Sequence, residues 1–176
     1  MTEALAWTRT RPLGSLLAGG LAAAALARYG LSADGLIAAF TCSVLVVLSV
    51  IDIESYRLPN RIVLPSAALV LVARLASAPG HWQAWVGAGL GAFAFFLVFA
   101  LVYPKGLGMG DVKLALLLGF ALGSAVMPAL LVGTLAGAAA GIVLLVREGA
   151  RARRRALPFG PFLAFGAIAT LLLVAP

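Results

Sequence analysis

Residues 103–123 read YPKGLGMGDVKLALLLGFALG, and in this stretch a carboxylate stands where an apolar helix begins. Three glycines alternate at Gly106, Gly108 and Gly110, and Asp111 follows them. The remainder of the stretch is apolar except for one lysine, which predicts a helix buried in protein or in lipid. Because the chain has only six acidic residues, an acid in this position requires a specific explanation.

The composition is that of an integral membrane protein. Of the 176 residues, 63% are hydrophobic and 11% are charged, whereas soluble domains are about a quarter charged. The net charge of +7 would suggest nucleic acid in a soluble protein, but basic residues that flank membrane spans explain it here. We therefore expect a lipid bilayer around the chain and no nucleic-acid partner. The single cysteine, Cys42, excludes an internal disulfide and a CxxC zinc site.

Seven apolar segments follow one another, each close to the ~20 residues that a membrane helix needs. They cover residues 12–30, 34–52, 61–78, 83–103, 111–126, 128–146 and 159–175. Gly123 and Pro128 mark the turn between the fifth and sixth segments. We therefore predict an all-α fold, a polytopic transmembrane bundle of about seven spans (six to eight), that forms one integral-membrane domain over residues 1–176.

The basic residues predict the orientation of this bundle. Seven spans would place eleven of the thirteen Lys and Arg residues on one face: Arg9, Arg11, Arg57, Arg61, Lys105, Lys113, Arg147, Arg151, Arg153, Arg154 and Arg155. The positive-inside rule puts this face and the N-terminus in the cytoplasm. The two exceptions, Arg28 and Arg74, are expected to reach the outer interface by snorkelling.

The six acids divide into two groups. Glu3, Asp34 and Glu148 are expected to be solvated surface charges. Asp52 ends the second segment and Asp111 begins the fifth, so two crossings separate them and both lie at the cytoplasmic face. A carboxylate costs about 2.5–3.5 kcal/mol at the centre of a membrane helix and less near an interface, and such residues tend to face a wet cavity and carry function.

Asp52 and Asp111 stand at opposite ends of their helices. The start of a helix favours an ionised carboxylate, whereas the end of a helix disfavours one. If the two side chains converge, one is ionised and the other protonated, as an aspartic dyad needs in order to activate a water and protonate a leaving amine. A purely structural interpretation stays open, with Asp111 as an N-cap and Asp52 as an interfacial charge paired with Arg57 or Arg61.

Three motifs resemble those of the type IV prepilin peptidase family. GMGDVKL, at residues 108–114, is similar to the GxGD motif of intramembrane aspartyl proteases. DIESYRLPNRI, at residues 52–62, resembles the family's second Asp motif, in which an aliphatic residue and Pro-Asn follow the acid. LPFGPFLAFG, at residues 157–166, is similar to a segment that opens the last helix. The resemblance covers about residues 37–175, and three motifs in the right order make it specific.

The resemblance implies an aspartic endopeptidase of the prokaryotic cytoplasmic membrane. Such an enzyme cleaves the basic leader peptide of type IV prepilins, or of pilin-like secretion and competence subunits, at the cytoplasmic face. By motif match, Asp52 and Asp111 would be the catalytic pair. The implied chemistry requires no metal and no cofactor, because one carboxylate takes a proton from water and the other polarises the scissile carbonyl.

The motifs also imply supporting residues, which are Gly108, Gly110, Lys113, Pro59 and Asn60. The two glycines are expected to keep the backbone close and flexible around Asp111. Asn60 is expected to cap the third helix, and Lys113 to lie near the dyad. Glu54 is a candidate contact to the basic leader of the substrate.

Longer members of the family carry a cytoplasmic insertion with paired CxxC zinc motifs and also methylate the new N-terminus of the pilin. With one cysteine, this chain resembles a short, peptidase-only form. A presenilin-like protease would place Tyr before the first Asp, but Ile51 precedes Asp52. The alternative from another class is a small membrane transporter or a non-catalytic assembly subunit whose acids bind protons or cations. The alternating glycines lack a preceding strand and a GK[ST] sequence, so they do not predict a nucleotide site.

Overall fold

The computed structural model describes residues 12–103, 106–149 and 157–174. The described residues form seven α-helices: α1 Pro12–Tyr29, α2 Ala33–Ser55, α3 Asn60–Ser77, α4 Trp82–Val102, α5 Met109–Leu122, α6 Val126–Glu148 and α7 Gly160–Leu173. Short 3-10 turns at Pro79–His81 and Gly123–Ala125 precede α4 and α6. The predicted all-α class is confirmed, and each of the seven predicted apolar segments overlaps one of these helices.

Four helical segments are long and apolar enough to cross a membrane: Ala33–Ser55, Asn60–Ser77, Pro79–Val102 and Met109–Glu148. The last of them is 40 residues long, and the turn at Gly123–Ala125 divides it into α5 and α6. Leu13–Tyr29 and Gly160–Leu173 are shorter apolar helices. Large apolar side chains such as Leu16 and Val98 are exposed on the outside of the bundle, which suits lipid surroundings rather than water.

The helices α2 and α5 form the centre of the bundle. The helix α5 is almost entirely buried, as expected for a helix that is apolar around its whole circumference. It packs against α3 and α4, while α2 packs against α1, α3 and α7. Because α3 contacts both α2 and α5, it joins the helix that carries Asp52 to the helix that carries Asp111.

An ion pair between a buried arginine and a half-exposed aspartate lies at the end of the bundle away from Asp52. Arg74, in the last turn of α3, is 2% exposed and pairs with Asp34 in the first turn of α2. Its guanidinium also donates a hydrogen bond of 2.6 Å to the carbonyl oxygen of Ala121 and lies 4.4 Å from the centroid of the Trp85 ring. The prediction that Arg74 snorkels is therefore wrong, and Asp34 is a paired charge, because a buried guanidinium needs a carboxylate partner.

Two further charges of the sequence argument are exposed; this confirms the prediction for Glu148, and the snorkelling of Arg28 stays a prediction. Arg28 is exposed at the end of α1, with its guanidinium 5.7 Å from the ring centroid of Tyr29. Glu148 is exposed at the end of α6. Some residues of the charge argument lie outside the described residues: Glu3, Arg9, Arg11, Lys105, Arg151, Arg153, Arg154 and Arg155.

Candidate active site

Asp52 and Asp111 line the same cavity. This cavity, of about 280 Å³, is called the carboxylate cavity below, and its lining consists of Asp52, Tyr56, Arg57, Leu58, Gly108, Met109, Gly110 and Asp111. Asp52 lies in the last turn of α2 and Asp111 is the third residue of α5. The two residues are only 5% and 9% exposed. The fold therefore brings together two buried carboxylates that are far apart in the sequence.

Leu58 and Gly110 bring the two Asp motifs into contact. A Cβ atom at position 110 would lie 2.9 Å from the Cβ atom of Leu58, so the loop between α2 and α3 approaches α5 closely only because residue 110 is glycine. None of Gly106, Gly108 and Gly110 is among the glycines with positive φ in the described residues. The expected close approach is thus present at Gly110, and it depends on the missing side chain rather than on an unusual backbone angle.

A hydrogen bond joins the start of α3 to α5. Lys113 Nζ donates to Asn60 Oδ1 at 2.9 Å. Asn60 is the first residue of α3, after Pro59, and no side-chain hydrogen bond caps this helix. The predicted N-cap role of Asn60 is therefore wrong, because its side-chain oxygen accepts from Lys113 instead of from the N–H groups of its own helix. These two motif residues connect α3 and α5 beside Asp111.

Gly160 is a partner of Asp52 that the sequence argument missed. Its backbone N–H, in the first turn of α7, donates to Asp52 Oδ2 at 3.0 Å. A Cβ atom at position 160 would lie 2.8 Å from the same oxygen, so this approach requires glycine. The signal was available in the glycine and proline that open the last apolar segment, since helix N-termini bind carboxylates. Asp52 therefore contacts the N-terminus of α7 although it belongs to the last turn of α2, and Asp111 lies at the N-terminus of its own helix, α5. The sequence argument placed only Asp111 at a helix N-terminus.

The structural interpretation of the two acids does not match the geometry. Gly108 is the N-cap of α5 and this helix has no side-chain cap hydrogen bond, so Asp111 is not an N-cap. The one ion pair within residues 12–103, 106–149 and 157–174 is that of Arg74 and Asp34, at the other end of the bundle. Neither Arg57 nor Arg61 forms an ion pair with Asp52. In the described part of the chain, the two carboxylates therefore share the cavity without forming an ion pair, although Arg57 lines it.

Glu54 does not line the carboxylate cavity. It is exposed in the last turn of α2, and two positions along a helix from Asp52 its side chain points to a different face. Its contact with a substrate stays a prediction. Among the described residues, no group of three or more His, Cys, Asp or Glu side chains has the arrangement of a metal site.

A second cavity is larger than the carboxylate cavity and apolar. It has a volume of about 460 Å³ and is lined by Phe95, Phe96, Phe99, Tyr103, Gly106, Leu107, Thr134 and Phe159. Leu107 directly precedes Gly108, and Phe159 directly precedes Gly160, the donor to Asp52. Lining residues of the two cavities are thus neighbours in the sequence at the start of α5, and Phe159 of the apolar cavity is next to the donor to Asp52.

The carboxylate cavity has the groups needed for acid–base chemistry on a carbonyl. When one of two neighbouring carboxyls is protonated, the ionised one can take a proton from water while the other donates a proton to the carbonyl oxygen. Such a dyad titrates as a coupled pair. The exposed lining residue Tyr56 marks an opening of this cavity to solvent, which gives water access to the two acids.

The chain matches the model of the type IV leader peptidase family over residues 39–146. It belongs to this family. The matched region contains both Asp52 and Asp111, and the third resembling motif, in residues 157–166, lies beyond it. No solved structure is significantly similar to the chain.

Similar members of the type IV leader peptidase family match most of the chain. A Bacillus subtilis (strain 168) protein is 36% identical over 157 residues, which are 89% of this chain and 63% of the relative. A Burkholderia pseudomallei (strain 1026b) protein is 37% identical over 173 residues, 94% of this chain and 55% of the relative. A Pseudomonas putida protein is 36% identical over 153 residues, 82% of this chain and 52% of the relative. All three are named prepilin leader peptidase/N-methyltransferase, and the chain spans 52–63% of their length.

Proposed function

We propose that this member of the type IV leader peptidase family is an aspartic endopeptidase that removes the leader of type IV prepilins or of pilin-like secretion or competence subunits. The carboxylate cavity carries the proposal, because α2, α5 and α7 place Asp52, Asp111 and the backbone donor of Gly160 together. The names of the relatives support the substrate class. In this proposal, residues 1–176 act as one integral-membrane peptidase domain.

The geometry of Asp52 supports a division of roles within the dyad. Asp52 already accepts the N–H of Gly160, so it is assigned as the ionised base and Asp111 as the protonated acid, the reverse of the assignment from helix ends alone. Asp52 takes a proton from water as the water oxygen bonds to the scissile carbonyl carbon, and Asp111 protonates the carbonyl oxygen. The intermediate collapses when the C–N bond breaks, the amine takes the proton from Asp52, and Asp111 regains its own.

The proposal includes seven membrane crossings with the N-terminus in the cytoplasm of a prokaryotic cell. Seven apolar helices among the described residues support it, as does the position of Asp52 and Asp111 at one end of the bundle. The carboxylate cavity then opens to the cytoplasmic face of the cytoplasmic membrane, and the exposed Glu54 nearby is positioned to attract a basic leader. Family membership does not favour a transporter or a non-catalytic assembly subunit.

Leader removal in cells tests the proposal directly. The protein is co-expressed with a candidate prepilin, and the processed fraction is compared for the wild type, Asp52→Asn and Asp111→Asn. Each substitution removes one half of an acid–base pair, so we expect cleavage to fall by on the order of 10²–10⁴-fold at normal membrane levels.

The matched control is Glu148→Gln, which removes an exposed carboxylate at the end of α6 and should leave processing unchanged. Retained cleavage in either Asp variant contradicts the dyad. Equal losses in all three variants would point to a nonspecific effect of charge.

A further inference from the structure

Tyr56 ends α2 in a backbone conformation that is unusual for a tyrosine. Its φ of 52° and ψ of 31° lie in the left-handed region, and it is the one non-glycine residue with positive φ in the described part of the chain. Its N–H donates to the carbonyl oxygen of Asp52 at 2.8 Å, which closes the helix one turn after that residue. A side chain in this region is disfavoured because Cβ crowds the following carbonyl oxygen.

Elsewhere in the described residues, the helix ends that take a positive φ have glycine at that position. Gly30 follows α1 with a φ of 69°, Gly123 follows α5 with a φ of 57°, and Gly149 follows α6 with a φ of 59°. Glycine is the common residue in this position because it has no Cβ atom to crowd the backbone. The exception is the helix end beside the carboxylate cavity. Residues held in disfavoured backbone conformations cluster at functional sites.

The side chain of Tyr56 faces the carboxylate cavity without being enclosed by the core. Tyr56 lines the cavity together with Asp52 and Asp111, and it is 52% exposed. Core packing therefore does not explain the choice of an aromatic residue over glycine. A half-exposed ring at the mouth of a cavity has an apolar surface and a hydroxyl group available to a bound molecule.

We propose that Tyr56 is a substrate-contacting residue whose ring packs against the polypeptide next to the bond that Asp52 and Asp111 cleave. The inference rests on the proposed peptidase function. The left-handed conformation of Tyr56 supports this role. A residue in the right-handed conformation at position 56 would continue the helix and direct its side chain to another face. The bound polypeptide covers the part of the ring that is exposed in the free protein.

Substitution with glycine separates a contact role from a role in ending the helix. Tyr56→Gly removes the Cβ atom that crowds the backbone at a positive φ, so we expect the midpoint of thermal unfolding in detergent to be unchanged or higher. For purified enzyme and a full-length prepilin, we expect KM to rise at least fivefold with a smaller change in kcat, as for a lost binding contact. Tyr56→Phe keeps the ring and should keep KM within twofold of wild type.

Two further variants and a binding assay complete the test. Ile53→Ala is the matched control, because Ile53 is 51% exposed near the same helix end and does not line the cavity. Tyr56→Asn, another residue that tolerates positive φ, replaces the glycine variant if that variant does not fold. A photoreactive benzoylphenylalanine at position 56, in the Asp111→Asn background that retains substrate, should crosslink to the prepilin, whereas the same group at position 53 should not.

The outcomes separate this inference from the proposed function. A wild-type KM for Tyr56→Gly, or equal rises in KM for Tyr56→Gly and Ile53→Ala, overturns the contact and leaves the peptidase standing. A lower melting temperature with a reduced kcat and an unchanged KM shows that Tyr56 only ends the helix, which also overturns it. A wild-type protein that neither cleaves nor crosslinks to the prepilin overturns the proposed function, and the inference falls with it.

Discussion

The two ends of the bundle bury charge in opposite ways. At one end Asp34 pairs with Arg74, whereas at the other end Asp52 and Asp111 share a cavity that has no ion pair among the residues that the structure describes. Asp34 and Asp52 belong to the same helix and lie about 27 Å apart along it, at 1.5 Å per residue. A single helix, α2, therefore carries one acid of each kind.

The difference between the ends shows which buried charges stabilise and which are available for reaction. Arg74 has its partners within the protein, since Asp34, the Ala121 carbonyl and the Trp85 ring all contact it. These contacts join the ends of four helices. The two acids of the other end have no ion pair among the residues that the structure describes, and buried acids without an ionic partner are costly unless a function maintains them.

The comparison predicts opposite effects on stability for two acids of α2, and this is the largest effect that we expect. Asp34→Ala should lower the free energy of unfolding by about 3 kcal/mol, because it leaves the buried guanidinium of Arg74 without a carboxylate. Asp52→Asn should leave that free energy unchanged or raise it, because it removes a buried carboxylate that has no ion-pair partner among the described residues. Denaturant unfolding of the purified protein in detergent measures both.

Arg74→Met is the control for the paired end. It leaves Asp34, which is 53% exposed and can be hydrated, so we expect a smaller loss of about 1–2 kcal/mol from the unsatisfied Ala121 carbonyl. If Asp52→Asn destabilises the protein as much as Asp34→Ala does, the prediction that only the Asp34 end stabilises the fold is contradicted.

The second prediction concerns the close contact at the carboxylate end. Gly110→Ala places a methyl group 2.9 Å from the Leu58 Cβ atom, and such overpacking costs about 1–3 kcal/mol. The loop between α2 and α3 must then move away from α5, so we expect leader cleavage to fall by about ten- to a hundredfold. The initial rate of prepilin processing in detergent measures this.

A second-site change sharpens this prediction. Leu58→Ala removes the opposing atoms and should restore part of the activity of Gly110→Ala. Gly141→Ala, where nothing lies within 4 Å of the added Cβ, should be neutral or stabilising, because alanine is the better helix former. Equal losses of activity at positions 110 and 141 would contradict the proposed contact.

The smallest effect is expected where α3 joins α5. Lys113→Met removes the hydrogen bond to Asn60 and should lower the free energy of unfolding by about 0.5–1 kcal/mol, the usual net value of such a bond. Cleavage should fall less than it does in Gly110→Ala. Asn60→Asp keeps an oxygen acceptor and should behave as the wild type does. A loss as large as that of Asp111→Asn would instead place Lys113 in the chemistry.

The sequence predicted the helices well, and it predicted that the two acids lie at the same end of the bundle. Apolar runs of about 20 residues leave the helix as the one open structure in lipid, so all seven segments overlap an observed α-helix. Two crossings between Asp52 and Asp111 are enough to put both acids at one end of a bundle. That argument does not depend on boundaries, and it holds although α5 begins two residues earlier than predicted.

The contacts that build the site could not be predicted in this way. A helix such as α5, apolar on every side, has no polar face to indicate its rotation, so the sequence does not show that Gly110 faces Leu58. The N–H of Gly160 reaches Asp52 only because α7 packs against α2. The ion pair between Arg74 and Asp34 likewise depends on how α3 lies beside α2.

By itself, the sequence determined an all-helical chain with Asp52 and Asp111 at the same end of the bundle. The lengths of the apolar segments and the even number of crossings between the two acids can be read from the chain alone. Only the tertiary structure decided that Asp52 and Asp111 share one cavity, that Gly160 donates to Asp52, and that Tyr56 lines this cavity from a left-handed helix end. These features depend on helix rotation and close packing, which arise from the steric fit of small residues between neighbouring helices.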